Sequence, residues 1–324
     1  MVTPSVLVIL DGASEPFDGG CPTSLERACI PALDALAGAG ALSRVRTVPA
    51  GLPAGSEVAI PVLLGWVPTA PVDRGAIEAA ARGIDVPAGA RAWRVDVLGE
   101  DGARADAAAA QKAAVALAGG APAHVVHPLD GHRLLLVGPP PMPGGARAPG
   151  LHAWPEGAAL PRVLDDATVV IAARGACAGA SALLGARVVV PDGATGDPAT
   201  DLEGKACAAV AALGGGTSRV VVHLGGADEA AHARDAGAKV AFLERADREL
   251  VAPLIIAVRR AGGTLRVCPD HGCDPADGRH DAHAVPCVTW SAADAGRRGA
   301  RRLTERSVAA LAVTDLTSRT PVTA

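Results

Sequence analysis

Residues 267–286 read V-C-P-D-H-G-C-D-P-A-D-G-R-H-D-A-H-A-V-P. Asp270 and His271 close a short apolar run, Thr264 to Cys268, and a Gly/Asp/Pro loop then carries His280 and His283 up to a second apolar run ending at Trp290. Carboxylate and imidazole groups at the end of a strand can point into one cavity, because the chain turns there and stops alternating between faces. Hard oxygen with imidazole nitrogen suits Mn2+, Zn2+ or Fe2+ rather than a thiolate site. A structural zinc site drawn from Cys268, Cys273, His271 and His280 is disfavoured, since no C-x2-C pair is present.

Three further stretches carry chemistry of the same kind. Val6 to Leu10 is an apolar run without alternation, the pattern of a strand covered on both faces, and it stops at Asp11. The run Arg219 to Leu224 leads into Asp228 and His232, whose i,i+4 spacing puts two metal-ligand types on one helical face. The Pro/Gly loop 49–55 delivers Ser56 to the start of an apolar helix, Glu57 to Leu64. A serine there is ordinarily an N-cap, but a hydroxyl at the positive end of a helix also meets an incoming phosphate where it is favoured. The surrounding A-G-S-E-V lacks the second glycine of a nucleophile elbow, so a metal would have to activate this serine.

The elements that must position these residues suggest two bodies. Strand and helix patterns over 1–71 and 191–324 form one α/β core, with capping boxes at Thr23/Glu26 and Thr200/Glu203, a long amphipathic helix over Lys239–Arg260 and a final helix from Thr304. Residues 72–190 have shorter segments, clustered prolines and a hairpin around Asp130-Gly131, and read as an inserted domain. Its arginines Arg74, Arg94, Arg133 and Arg174 have the fork geometry to hold phosphate or carboxylate. The chain of 324 residues has a net charge of −4, no Tyr and two Phe, which leaves neither a basic surface nor stacking platforms for nucleic acid. Seven cysteines without framework spacing point to reduced thiols in a cytoplasm, and no apolar stretch is long enough to span a bilayer.

Taken in order, Asp11, Ser56, Asp228/His232, Asp270/His271 and His280 resemble the alkaline phosphatase superfamily, and more closely the archaeal-type cofactor-independent phosphoglycerate mutases. The stretches 22–36, 52–66, 73–79 (D-R-G-A-I-E-A) and 193–205 (G-A-T-G-D-P-A-T-D-L-E-G-K) share in the likeness. The resemblance implies an alkaline-phosphatase-like, mostly parallel sheet flanked by helices, with a smaller inserted α+β lid. It implies two divalent metal ions, Mn2+ foremost, with Zn2+, Co2+ and Mg2+ compatible with the same ligand types. One ion would take Asp228, His232 and His280, and the other Asp11, Ser56, Asp270 and His271. Ser56 would be the nucleophile that carries the phosphoryl group between the two hydroxyls of glycerate. Substrate contacts are expected from Arg74, Arg94, Arg133, Arg174 and Lys205, in a cytoplasmic monomer or small homo-oligomer acting on a small phosphorylated metabolite. The departures fall on the substrate side: Ile60 stands where such mutases usually carry a histidine, Val67 stands where this branch tends to have an aspartate, and the Arg-rich run expected after Trp93-Arg94-Val95-Asp96 is missing. A phosphohydrolase, or a transferase for another phosphate ester or phosphonate, is the alternative outcome of the same machinery.

Overall fold

The structure, a computed structural model, describes residues 3–100 and 102–318. The chain opens with β1 (Ser5–Leu10), the helices α1 (Ser24–Arg27) and α2 (Pro31–Ala39), β2 (Ala41–Arg46) and α3 (Ser56–Leu64). It continues through α4 (Arg74–Arg82), β3 (Arg91–Val97), α5 (Ala107–Gly120), β4 (Val125–Pro128), β5 (Arg133–Gly138) and β6 (Leu151–Ala153). Next come β7 (Thr168–Ile171), α6 (Ala176–Leu184), β8 (Arg187–Val189), α7 (Leu202–Gly214), β9 (Arg219–Leu224) and α8 (Gly226–His232). Last are α9 (Ala236–Ala246), α10 (Ala252–Arg260), β10 (Thr264–Pro269), the hairpin strands β11 (Gly272–Asp274) and β12 (Arg279–Asp281), β13 (Val285–Ser291), α11 (Glu305–Val308) and β14 (Val313–Asp315).

Two compact units result, one from residues up to Thr69 together with those from Arg162 onward, the other from Ala70–Pro161. The larger holds an eight-stranded sheet in the order β14-β2-β13-β10-β1-β9-β7-β8. Every neighbouring pair is parallel except those made by β13. β1 sits centrally because five of its six residues are fully buried and apolar, which only a strand covered on both faces can satisfy. Its last residue, Leu10, is in register with Pro269 of β10 and Leu224 of β9. The chain therefore leaves three adjacent strands at one level, at the carboxyl edge where open α/β sheets bind ligands.

The smaller unit has a four-stranded antiparallel sheet, β4-β5-β3-β6. Period-2 alternation divides its residues cleanly. Trp93, Val95, Leu134 and Leu136 pack with Ala110, Ala114 and Leu117 of α5, whereas Ala92, Leu135 and Val137 pack with Ala79 of α4. Gly75 lets α4 lie directly on β3, since a Cβ there would sit 2.0 Å from the Ala92 carbonyl oxygen.

Several expectations change. The insertion ends at Pro161 rather than at residue 190, because β7 is wholly buried and pairs in parallel with β9, and β8 extends the same sheet. The Thr23/Glu26 capping box opens only the short α1, and a new helix, α2, starts at Pro31, which has no N–H to continue the first ladder. Asp201 rather than Thr200 caps α7, through its carboxylate on the Gly204 N–H, while Thr200 accepts from Thr195. The helix expected over 239–260 is α9 and α10 joined by a π-helical turn, Asp247–Val251. Its extra residue turns Asp247 inward, where the carboxylate accepts from the Ala32 and Leu33 N–H groups at the start of α2.

Candidate metal centre

Three strand ends and one helix start build the centre, all in the larger unit. Asp11 follows β1, and its N–H donates to Leu224 O of β9 at 3.0 Å, which locks it beside the entry to α8. Asp270 follows β10, and its Oδ1 accepts from the N–H groups of Gly12 and His271 at 3.1 and 3.0 Å. Thr47, on the loop after β2, donates to the Asp270 carbonyl oxygen. Gly12 has φ +58°, and a Cβ there would lie 2.4 Å from Asp228 Oδ1, so only glycine lets α8 bring Asp228 against the β1 loop. The β11–β12 hairpin returns His280 opposite Cys273, on the same side as α8.

The imidazoles are oriented alike. His232 Nδ1 lies 2.9 Å from Gly278 O, His280 Nδ1 3.1 Å from Ala54 O and His271 Nδ1 3.1 Å from Gly272 O. A carbonyl can only accept, so each Nδ1 carries a proton and each Nε2 is left facing the cavity, where it can take a cation or share a proton with a neighbouring carboxylate. There His280 Nε2 lies 2.9 Å from His232 Nε2 and 3.0 Å from Asp228 Oδ1, while His232 Nε2 is 3.2 Å from Asp228 Oδ2. Two lone pairs facing each other beside a carboxylate repel unless a cation sits among them.

A second group adjoins the first. Ser56 Oγ, at the first residue of α3, donates to Asp11 Oδ1 at 3.0 Å and lies 3.4 Å from His271 Nε2. His271 Nε2 is 3.3 Å from Asp11 Oδ1 and 3.5 Å from Asp270 Oδ2. The His271 and His280 rings stand 4.2 Å apart, so the two groups share one cavity.

The electrostatics fit a site built to take positive charge. Asp270 is pushed up to about 6, by burial first and then by the charge of Asp11. Asp11 and Asp228 are held below the ordinary carboxylate range: burial opposes ionisation, but the imidazoles of His223 and His271 beside the one, and of His232 and His280 beside the other, outweigh it. His271, although burial disfavours its charge, is driven well above its ordinary value by Asp270 and Asp11. Asp228 Oδ1 and Asp270 Oδ2 are buried without a well-formed hydrogen bond, which is costly for a carboxylate unless a cation compensates. One ligand atom from each of Asp228, His232, Cys273 and His280 lies within 4.8 Å of the others, and the same holds for Asp11, Asp228 and His271. The donor set fits divalent metal.

All seven residues expected at the metals and nucleophile thus converge. Of the expected substrate contacts, Arg74, Arg94 and Arg133 belong to the smaller unit and Arg174 and Lys205 to the larger. Arg94 is buried and fully engaged, donating Nη1 to Glu78 at 2.9 Å and Nε and Nη2 to Asp96 at 2.8 and 3.1 Å. Arg74 pairs with Glu78 at 3.2 Å, and both guanidinium groups lie over the Trp154 ring. Arg133 follows the hairpin turn in the same unit. Lys205, expected on the substrate side, is fully buried and donates to the carbonyls of His223 and Thr195 at 3.1 and 3.5 Å. Arg174 alone of this set lies exposed in the larger unit, on the loop after β7 at the carboxyl edge.

One residue was missed. His223 interrupts the buried run of β9, and its Nε2 meets Asp11 Oδ2 at 3.0 Å; a lone histidine near the end of a V-V-V-H-L strand was the available signal. His283, named in the cassette without a ligand role, lies between Asp281, paired with its Nδ1, and Ser14 Oγ, 2.9 Å from its Nε2. Ser14 Oγ also donates to Glu305 at 2.9 Å, so this chain of contacts ties the β1 loop to the hairpin.

A family model described as "Metalloenzyme superfamily" matches residues 3–318. A 2,3-bisphosphoglycerate-independent phosphoglycerate mutase of Methanopyrus kandleri is 36% identical over 140 residues, which span 43% of this chain but only 33% of that protein. The corresponding mutase 1 of Archaeoglobus fulgidus is 28% identical over 370 aligned residues, 88% of each chain. Among solved structures, the PH0037 protein of Pyrococcus horikoshii superimposes with a TM-score of 0.77 at 22% identity, covering 98% of this chain and 95% of that one, which shows a shared fold. No helix among the described residues is long and apolar enough to cross a membrane.

Proposed function

This chain belongs to the Metalloenzyme superfamily, and from that premise we propose that it is a two-metal phosphotransferase, a phosphoglycerate mutase interconverting 3-phosphoglycerate and 2-phosphoglycerate through a phosphoserine at Ser56. The observation that carries the reading is the place of Ser56: its Oγ lies at the N-terminus of a nine-residue helix, 3.0 Å from Asp11 Oδ1 and 3.4 Å from His271 Nε2. The mutase names borne by relatives aligned along most of the chain support it.

Asp228, His232 and His280 would hold one ion, and Asp11, Ser56, Asp270 and His271 the other. Divalent ions bound there would lower the pKa of the serine hydroxyl and neutralise phosphate oxygens. Asp11 accepts the Ser56 hydrogen bond and so aims the oxygen lone pairs away from itself, toward the open side of the site. The first N–H groups of α3 favour a phosphate in front of Ser56. As the Oγ–P bond forms, Ser56 gives up its hydroxyl proton, the ester O–P bond breaks and the departing oxygen takes up a proton, so glycerate leaves as an alcohol; return of the phosphoryl group to its other hydroxyl, with that hydroxyl's proton restored to Ser56, completes the isomerisation. His223 holds Asp11 from behind and fixes its rotamer. The enzyme would work in the cytoplasm.

A second reading, hydrolysis or transfer with another small phosphate ester or phosphonate, is favoured by the binding of Arg94 to Glu78 and Asp96 and by the fully buried Ile60 in place of the expected histidine. Incubation of the manganese-supplemented protein with 3-phosphoglycerate, followed by phosphorus NMR, separates the readings. A 2-phosphoglycerate signal supports the mutase. Inorganic phosphate supports the hydrolase, and an unchanged spectrum removes phosphoglycerate as the substrate.

A further inference from the structure

We propose that Cys273 is a fourth protein ligand at the metal position formed by Asp228, His232 and His280, and that its thiolate makes this position prefer Zn2+ to Mn2+. The inference deepens the two-metal reading and rests on it. Cys273 and His280 are directly opposite in the β11–β12 hairpin, and directly opposed residues of an antiparallel pair project from the same face. His280 turns its Nε2 to Asp228 and His232, so the hairpin brings the Cys273 sulfur to the same point, and the four ligand atoms lie within 4.8 Å of one another.

The sulfur is held there from both sides of its backbone. Cys273 N donates to Ser14 O at 2.9 Å, and Lys239 Nζ, itself fully buried and paired with Glu15 at 2.9 Å, donates to Cys273 O at 2.7 Å. A second observation points at the same spot: Asp228 Oδ1, on a residue only 8% exposed, is buried without a well-formed hydrogen bond and faces His280 Nε2 at 3.0 Å. A carboxylate, two imidazoles and a thiolate form a borderline-soft set that suits zinc, whereas manganese favours oxygen. The neighbouring group, Asp11, Ser56, Asp270 and His271, contains no sulfur and is the harder of the two. On uptake the thiol proton passes to solvent as the metal–sulfur bond forms, and no electron is transferred.

Neither the buried Cys177, Cys268 and Cys287 nor the exposed Cys21, Cys29 and Cys207 belongs to either ligand group, and a sulfur signal lost on replacing Cys273 alone has Cys273 as its source. The test loads the full chain with Co2+ and records its absorption spectrum. A near-ultraviolet sulfur-to-cobalt charge-transfer band beside the visible d–d bands is expected for the native chain. In Cys273→Ser and Cys273→Thr the charge-transfer band should vanish while the d–d bands persist. The Zn2+:Mn2+ affinity ratio should fall by roughly tenfold or more, the smaller end of losses seen even for outer partners of metal ligands. X-ray absorption of the zinc-loaded native chain, which needs no variant to fold, should show a sulfur neighbour at about 2.3 Å. Cobalt d–d bands without a charge-transfer band, or a zinc edge without sulfur, overturn the role of Cys273 and leave the metal centre standing. Failure to take up cobalt or zinc at all overturns both.

Discussion

Asp228→Asn should erase most of the thermal stabilisation that divalent metal confers. Asp228 touches both imidazoles of its group, His232 at 3.2 Å and His280 at 3.0 Å, and lies in the second group with Asp11 and His271 as well. A metal that binds only the folded chain stabilises it by about 2.7 kcal/mol at a hundredfold excess over Kd. For a domain of 150–250 residues each kcal/mol moves Tm by about 2–4 °C, so the native protein should gain roughly 5–10 °C. The amide keeps the shape of the carboxylate and can donate to an imidazole lone pair, so the metal-free variant should fold. It loses the negative charge. If affinity drops about a hundredfold, the same metal concentration stabilises by only about 0.4 kcal/mol, or roughly 1 °C. The assay is a pair of melting curves, with chelator and with metal, for each protein. An equal metal-induced rise in native and variant protein would refute the assignment of Asp228 as a ligand.

Ser56→Ala should abolish turnover of any phosphate ester while retaining most metal uptake, because the imidazoles and carboxylates remain; residual turnover near the native rate would remove Ser56 as nucleophile. Glu78 is held at about 2: burial raises its pKa, but Arg74, Arg94, Arg82 and Arg133 lower it further. A depressed carboxylate stabilises above its unfolded pKa, so this contribution, about 3 kcal/mol, should be lost as pH falls from about 4.5 to about 2. Glu78→Gln should flatten that acid limb in urea titrations. Lys205 is brought down to about 8 by burial, which outweighs the opposing charges of Asp197 and Asp201, while its hydrogen bonds go to carbonyls. Between about 8 and 10.5 the unfolded chain binds the extra proton, so native stability should rise with pH by about 3 kcal/mol relative to Lys205→Met, read from denaturant titrations at several pH values.

Much of the centre was legible because its residues lie next to strong local signals. Asp11, Asp228 and Asp270 each follow a continuous apolar run, and a buried parallel strand has to end in a turn at the ligand-binding edge. Ser56 follows a Pro/Gly loop and precedes an apolar helix, which places it at an N-terminus whatever the rest of the fold does. The same locality explains the errors. β7 has four residues and β8 three, too few for periodicity to separate them from the inserted unit, and only the pairing of β7 with β9 and of β8 with β7 assigns them to the large sheet. Thr200 and Asp201 are both good caps, and the choice between them depends on the loop that Thr200 closes onto Thr195.

By itself, then, the sequence determined the ligand types, their order along the chain and the strand or helix end on which each sits. Residue chemistry and hydrophobic periodicity are local properties and can be read without neighbours. That Arg94 is committed to Glu78 and Asp96, that Lys205 faces carbonyls, that His223 backs Asp11 and that Cys273 meets Asp228 were decided only by tertiary structure. Each depends on the partner that burial brings to a polar side chain, and that partner comes from a strand or helix distant in sequence.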